Sequence, residues 1–251
     1  MRIHSNLADK NSQIKLGELL KNFNKEGELL AGGDRNTIKV FNFLDKKVSI
    51  KSFKIPNAVN KFAYKFFRKS KAQRSYEYAM RLLEMQVGTP APIAHAEAET
   101  PLFTRSYYVC EFLDYDLTYR ELVDDPTYAE DTEIIRAFTR FTYDLHEKGI
   151  HFLDHSPGNT LIKKNGKAYD FYLVDLNRME FKPMDFHTRI KNFCRLTPKK
   201  NMVVKMGREY ARLTGRDEQM VIDTMWEETE KFQEKFKRKQ DLKKKLKFWK
   251  N

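Results

Sequence analysis

The sequence predicts an α+β protein, with a small β-rich part up to about Leu113 and a larger helical part after it. Three observations point there. The first half is dominated by short runs that alternate apolar and polar residues around glycine turns. The second half carries helical periodicity, clearest between Asp131 and Glu147, where Ile134, Ile135, Phe138, Phe141, Thr142 and Leu145 form one stripe. Between that helix and the remaining helices lies Gly149–Ile162, where an apolar run delivers Asp154 to a short polar loop containing Ser156, Pro157, Gly158 and Asn159. The expected divisions are an N-terminal extension (1–24), a β-rich lobe (25–113), a helical lobe (114–230) and a basic tail (231–251).

Composition bounds the class. The chain has 251 residues, of which 41% are hydrophobic, enough for one large domain or for two lobes around a cleft. A mean hydropathy of −0.70 with 13% aromatic residues describes a charged, well-cored protein rather than a disordered one. The polar start, Met1-Arg2-Ile3-His4-Ser5-Asn6, does not resemble a signal peptide, and no apolar run approaches the roughly 20 residues of a membrane span. Cys110 and Cys194 make neither a disulfide framework nor a metal cluster, which fits a reducing cytoplasm. The net charge of +12 is concentrated at one end: from Lys231 to Asn251, ten Lys and Arg stand against Glu234 and Asp241. Such a tail argues for an anionic surface nearby.

Taken in order, residues 1 to about 23 are polar apart from the amphipathic piece Ile14–Leu20, to which no function attaches. Glu28–Phe41 reads as strand, glycine turn, strand, the turn holding Gly32, Gly33 and Asn36. Such a turn can lay backbone N–H groups over phosphates, and it can equally be an ordinary hairpin. Lys47–Lys54 alternates as a strand with Lys51 at its middle. Ser70–Met85 is helical, with Ser70 as N-cap and Glu77 at mid-helix. Gly88-Thr89-Pro90-Ala91-Pro92 ends that helix. Strands follow over Ile93–Ala98 and Phe103–Phe112, the second stopping at Asp114-Tyr115-Asp116. Pro183–Thr214 is helical in pieces around Pro198. The helix after Asp217 begins acidic and ends basic, as its dipole favours. In the tail, Phe232, Phe236, Leu242, Leu246 and Trp249 share one arc, although Lys235, Lys239 and Lys243 interrupt it. The tail can be an interfacial helix or a solvated one.

The loop at Asp154 is followed by Tyr172-Leu173-Val174-Asp175, a strand ending in a second acid. Asp, then Asn, then a strand-end Asp is the order of groups that phosphoryl transfer requires. One carboxylate holds a hydroxyl and accepts its proton, and further oxygens fix magnesium on nucleotide phosphates. The plain alternative is that Asp154 caps a turn and Asn159 satisfies a loop backbone.

Several strings together resemble the lipopolysaccharide core kinases, the Kdo and heptose kinases distantly related to protein kinases. They are Gly33–Thr37, Val48-Ser49-Ile50-Lys51, Ser70–Glu77, Thr89–Pro92, Asp154–Asn159 and Val174–Arg178. The resemblance spans roughly Gly27 to Phe181, and the order of its parts is more specific than any one of them. It implies a two-lobed protein-kinase-like fold, ATP as donor, Mg²⁺, and a sugar hydroxyl of an anionic glycolipid, a lipid A-core precursor, as acceptor. Lys51 would hold the α/β-phosphates and be held in turn by Glu77, with Glu84 the less favoured partner. Asp154 would be the base, and Asn159 and Asp175 would bind the metal. The adenine would meet the backbone of a hinge at Glu111–Leu113, beneath the turn of Gly32, Gly33 and Asn36. These groups are expected to converge in one crevice.

Departures are informative. Leu176-Asn177 follows Asp175 where protein kinases have Phe-Gly, and Ser156 stands where they carry a Lys two residues past the catalytic Asp. No activation segment follows. This pattern suits a sugar or small-molecule kinase, and Asn177 offers an added metal contact. The resemblance places the protein in the cytoplasm, with the tail as peripheral contact to the inner membrane of a Gram-negative bacterium and no specific nucleic acid. Rival readings are a protein or other small-molecule kinase, a nucleotide-binding pseudokinase, and an RNA-associated kinase-like protein.

Overall fold

Most of the alternating segments of the first half present one apolar face to a common core, and they pair as antiparallel strands. The computed structural model describes residues 1–33, 36–54, 69–98, 105–125, 127–128 and 132–248, with side chains to 245. It divides into two units. The first comprises Met1–Asp114 with Leu173–Arg178, and the second Tyr115–Tyr172 with Met179–Asn251.

The first unit is built on a six-stranded sheet: β1 (Arg2–Ser5), β2 (Glu28–Gly32), β3 (Asn36–Phe43), β4 (Lys46–Lys54), β5 (Pro92–Glu97) and β6 (Arg105–Glu111). Its spatial order is β1-β5-β6-β4-β3-β2, and each pairing is antiparallel. Helix α1 (Lys10–Lys21) is capped by Asp9, whose side chain accepts from Ser12 N at 2.7 Å. Leu16 and Leu20 of α1, with Phe23 beyond it, share one buried cluster with Val48, Ile50, Phe41, Ile93 and Tyr107. The N-terminal residues expected as an extension therefore form an edge strand and cover one face of the sheet. The apolar spacing Leu16–Leu20–Phe23 carries that role, and the polar residues around it obscure it.

Because Val48 and Ile50 point into that cluster, the period of two sends Lys51 and Phe53 to the opposite face. Helix α2 (Lys71–Glu84) has Ser70 as N-cap, accepting from Gln73 N at 3.0 Å. Its buried residues are Ala72, Ser75, Ala79 and Leu82. The small side chains let it lie close to its sheet.

The second unit is mainly helical. After β7 (Leu117–Thr118), helix α3 (Tyr119–Asp124) starts with a capping box of Thr118 and Glu121. Helix α4 (Thr132–Glu147) buries Ile134, Ile135, Phe138, Thr142 and Leu145, as its periodicity predicts, and Phe141 packs against the same cluster. Gly149 follows it at φ +68°, and a Cβ there would sit 3.2 Å from the Lys182 carbonyl oxygen. Glycine is the residue that position tolerates. Next come β8 (Ile150–Phe152), a 3₁₀ turn (Pro157–Asn159), β9 (Thr160–Asn165) and β10 (Ala168–Leu173). Then follow β11 (Met179–Phe181), α5 (Phe186–Lys191), α6 (Lys200–Thr214) and α7 (Glu218–Phe248). Strand β11 pairs with β8 and thereby holds the approach to Asp154, while β10-β9-β7 form a second small sheet.

Helix α7 has no break at residue 230. What changes there is burial. Val221, Met225 and Thr229 are buried, whereas every described side chain from Glu234 to Lys245 is exposed, including Phe236 and Leu242. Leu246 and Trp249, expected on the apolar arc, fall outside the described side chains. Among the described residues no helix is long and apolar enough to cross a membrane.

Helices α6 and α7 meet at Gly207. A Cβ on it would lie 2.8 Å from Ile222 Cγ1 and 3.2 Å from Ile222 Cα. Gly207→Ala gains about 1 kcal/mol of helix propensity but overpacks a contact that includes backbone, for a net loss of about 1–2 kcal/mol. A thermal melt of the full chain should show the midpoint lowered by a few degrees.

Candidate active site

Lys51 and Asp175 meet inside the first unit. Lys51 Nζ lies 2.8 Å from Asp175 Oδ1, and the two side chains are only 13% and 25% exposed. A charge so far removed from water needs a partner of opposite sign. The segment carrying Asp175 is anchored by a Leu173 N–H bond to Gly88 O at 2.8 Å and a Thr89 hydroxyl bond to Leu173 O at 2.8 Å. Asp175 was expected in the helical part of the chain, yet Leu173–Arg178 packs with the sheet unit.

Asp175 adopts φ +58°, a left-handed conformation costly for a non-glycine residue. Asn177, two residues on, donates its side-chain amide to Asp175 Oδ1 at 2.6 Å. Asn177 therefore orients the carboxylate through its amide nitrogen. Oδ1 takes both of these contacts, which among the described residues leaves Oδ2 for another ligand.

Glu77 does not meet Lys51. Its carboxylate pairs with Lys69 Nζ at 2.8 Å and accepts from Gln73 Nε2 at 3.0 Å. The geometry of α2 explains this: Glu77 lies two residues from both Ser75 and Ala79, about 200° around the helix from the buried stripe. It therefore bonds Gln73 on its own helix and Lys69 just before it. Glu84 is exposed.

At the other expected nucleotide contacts, Gly32 ends β2, Asn36 begins β3, and Gly33 N–H donates to Asn36 O at 3.0 Å. Among the described residues, a Cβ on Gly33 would meet nothing within 4 Å, and Asn36 Oδ1 is buried without a partner. Asp34 and Arg35 lie outside the described residues. At the expected hinge, Glu111 N–H is taken by Ala91 O and Phe112 N–H by Lys47 O, while the Glu111 side chain pairs with Lys46. Among the described residues, those bonds leave the Leu113 amide as the uncommitted donor of the three.

The second unit holds Asp154 and Asn159. His155 fixes their loop: it is 1% exposed, stacked on Phe138 at 5.5 Å between centroids, with Nε2 3.4 Å from the Thr142 hydroxyl. Burial pushes its pKa down to about 3, so it is neutral. Asn159 Nδ2 donates to Asp154 O at 2.8 Å, which closes the loop and leaves Asn159 Oδ1 as a free oxygen donor. The Asp154 carboxylate pairs with Arg195, Nη1 to Oδ1 at 2.8 Å. Arg195 escaped the sequence reading because nothing in Cys194-Arg195-Leu196 distinguishes it from a surface arginine.

Beneath the loop runs a buried chain. Asn192 Nδ2 donates to Phe152 O at 2.9 Å, and its Oδ1 faces His146 Nε2 at 3.3 Å. An amide oxygen only accepts, so Nε2 carries the proton and Nδ1 accepts from the Tyr210 hydroxyl at 2.9 Å. Burial holds His146 at a pKa of about 4.

The sequence profile of the lipopolysaccharide kinase (Kdo/WaaP) family matches residues 51–225. The chain belongs to that family. Among curated protein sequences none is a significant match. A solved structure, WaaP in complex with acyl carrier protein, is similar with a TM-score of 0.60 at 17% identity, covering 92% of this chain and 99% of that one. At that identity the likeness establishes the fold, which is the α+β kinase-like one expected. The family match begins at Lys51 and includes Asp154, Asn159 and Asp175.

Because His146 has a lowered pKa when folded and an ordinary one near 6.5 when unfolded, its protonation favours the unfolded chain. Stability should fall as pH drops from about 6.5 towards 4, by up to about 1.4 kcal/mol per pH unit for each such histidine. His155 adds a second contribution of the same sign. Melting temperatures measured between pH 7 and 4.5 should decline, and the slope should be shallower in His146→Gln.

Proposed function

We propose that this protein is a Mg·ATP-dependent kinase that phosphorylates a sugar hydroxyl, on Kdo or heptose, of the lipid A-core of lipopolysaccharide. The observation that carries the reading is the Lys51–Asp175 pair, since both groups are half-buried, oriented and placed at positions the family match includes. Lys51 is the phosphate-binding cation, with the backbone at Gly32, Gly33 and Asn36 and the hinge at Glu111–Leu113 completing the nucleotide contacts.

Asp175 Oδ2 and Asn159 Oδ1 suit Mg²⁺, which prefers hard oxygen donors and in such sites takes one or two carboxylates plus phosphate oxygens. When bound, Mg²⁺ neutralises charge on the phosphates. Asp154 orients the acceptor hydroxyl and takes its proton. Glu77, engaged with Lys69, is not assigned to the nucleotide.

The experiment is mass spectrometry of lipid A-core from cells with and without this protein. A phosphate should be missing in its absence and should return with the wild-type gene but not with Asp154→Ala. In the purified enzyme, Asp154→Ala should reduce transfer by at least about 10²-fold while sparing nucleotide binding. An unchanged lipid A-core, or full transfer by Asp154→Ala, would overturn the reading.

The exposed basic end of α7 suits an anionic membrane surface, which is where a glycolipid acceptor lies. Replacing Lys243, Lys244 and Lys245 with Gln removes about 1 kcal/mol each of attraction. Sedimentation with phosphatidylglycerol vesicles should fall by about tenfold or more, and wild-type binding should weaken with salt. Preference for RNA over vesicles would instead favour a nucleic-acid partner. The likeness to WaaP solved with acyl carrier protein makes such a carrier a second partner to test by co-purification.

A further inference from the structure

Arg195 reaches the Asp154 loop from 41 positions downstream, on the segment between α5 and Pro198. Phe193 and Leu196 anchor that segment in the core of the second unit, at 1% and 0% exposure. Between them Arg195 Nη1 bonds Asp154 Oδ1 at 2.8 Å and Leu153 O at 3.2 Å. Asn192 holds the preceding carbonyl, Phe152 O, so this one segment grips residues 152, 153 and 154 in turn. The guanidinium also lies 5.7 Å from the centroid of the Phe232 ring on α7, and its Nε is buried. Among the described residues, Arg195 is the sole partner of the Asp154 carboxylate.

We infer that Arg195 is the positioning residue of the transfer reaction: it pins Asp154 through Oδ1 so that Oδ2 faces the acceptor hydroxyl. The inference rests on Asp154 being the base. A carboxylate with two free torsions and no partner would sample several orientations, and phosphoryl transfer depends on alignment of the attacking oxygen. A guanidinium suits the task because its planar, rigid group carries Nη1 in a fixed plane, so that this one nitrogen meets both the Leu153 carbonyl and the Asp154 carboxylate, which a freely rotating ammonium does with less geometric control. The loop itself offers no cation, since Ser156 is its polar residue beyond His155.

The test is steady-state phosphate transfer from ATP to lipid A-core isolated from cells lacking the protein. Arg195→Ala should lower kcat by about 10- to 100-fold with KM for ATP unchanged, because the lost group acts on orientation rather than nucleotide binding. Arg195→Lys should recover part of the rate, and millimolar methylguanidinium should partly rescue Arg195→Ala while leaving the wild type unaffected. A structural role alone would give a lowered melting temperature, no rescue by methylguanidinium and no recovery with Lys, and that outcome overturns the inference. So does wild-type kcat in Arg195→Ala. Transfer by neither wild type nor variant overturns the kinase reading itself, which separates the two failures.

Discussion

A half-buried ammonium must be neutralised, and in the sheet unit the Lys51–Asp175 pair meets that requirement. The surrounding architecture follows from where the two charges are held. Lys51 faces away from α1 because Val48 and Ile50 fill the cluster beneath α1, and a strand cannot present both faces to one core. Asp175 reaches it because Leu173 is bonded to Gly88 and Thr89, in the connection between α2 and β5. The left-handed backbone at Asp175, held by the Asn177 amide, is conformational cost concentrated where a carboxylate must be aimed.

The loop of the second unit obeys the same logic by different means. His155 is driven into the core, neutral and stacked, and serves as the loop's anchor. The Tyr210–His146–Asn192 chain then ties the backbone before Asp154 to helices α4 and α6. Buried polar groups of this kind stabilise only when each bond is made, so they fix one geometry rather than a range of them. Arg195 adds the one contact aimed at the carboxylate itself. Asp175 and Asp154 are thus each held by a neighbour whose own position is set by packing.

Much of this was legible in the chain. The strand alternation around Lys51, the stripe of α4, the caps at Ser70 and Gly149, and the Asp154–Asn159 loop followed by Asp175 are local patterns, readable because they depend on neighbours within a few residues. The family resemblance carried by those strings agrees with the match over residues 51–225. The N-terminal strand and helix were less legible, since three apolar residues among polar ones do not announce a face of a sheet.

By itself, the sequence determined which residue types stand at which intervals: an α+β chain, a lysine on a strand, an acid–amide loop, a strand-end acid and a basic tail. The tertiary structure alone decided the pairings. It gave Lys51 to Asp175 and left Glu77 to Lys69, because the helical angle of Glu77 relative to the packed stripe cannot be weighed without the sheet. It assigned Leu173–Arg178 to the first unit and Arg195 to Asp154. Periodicity reports which side of an element is buried, whereas an ion pair depends on how distant segments pack, and that information is spread over the whole core rather than written at either residue.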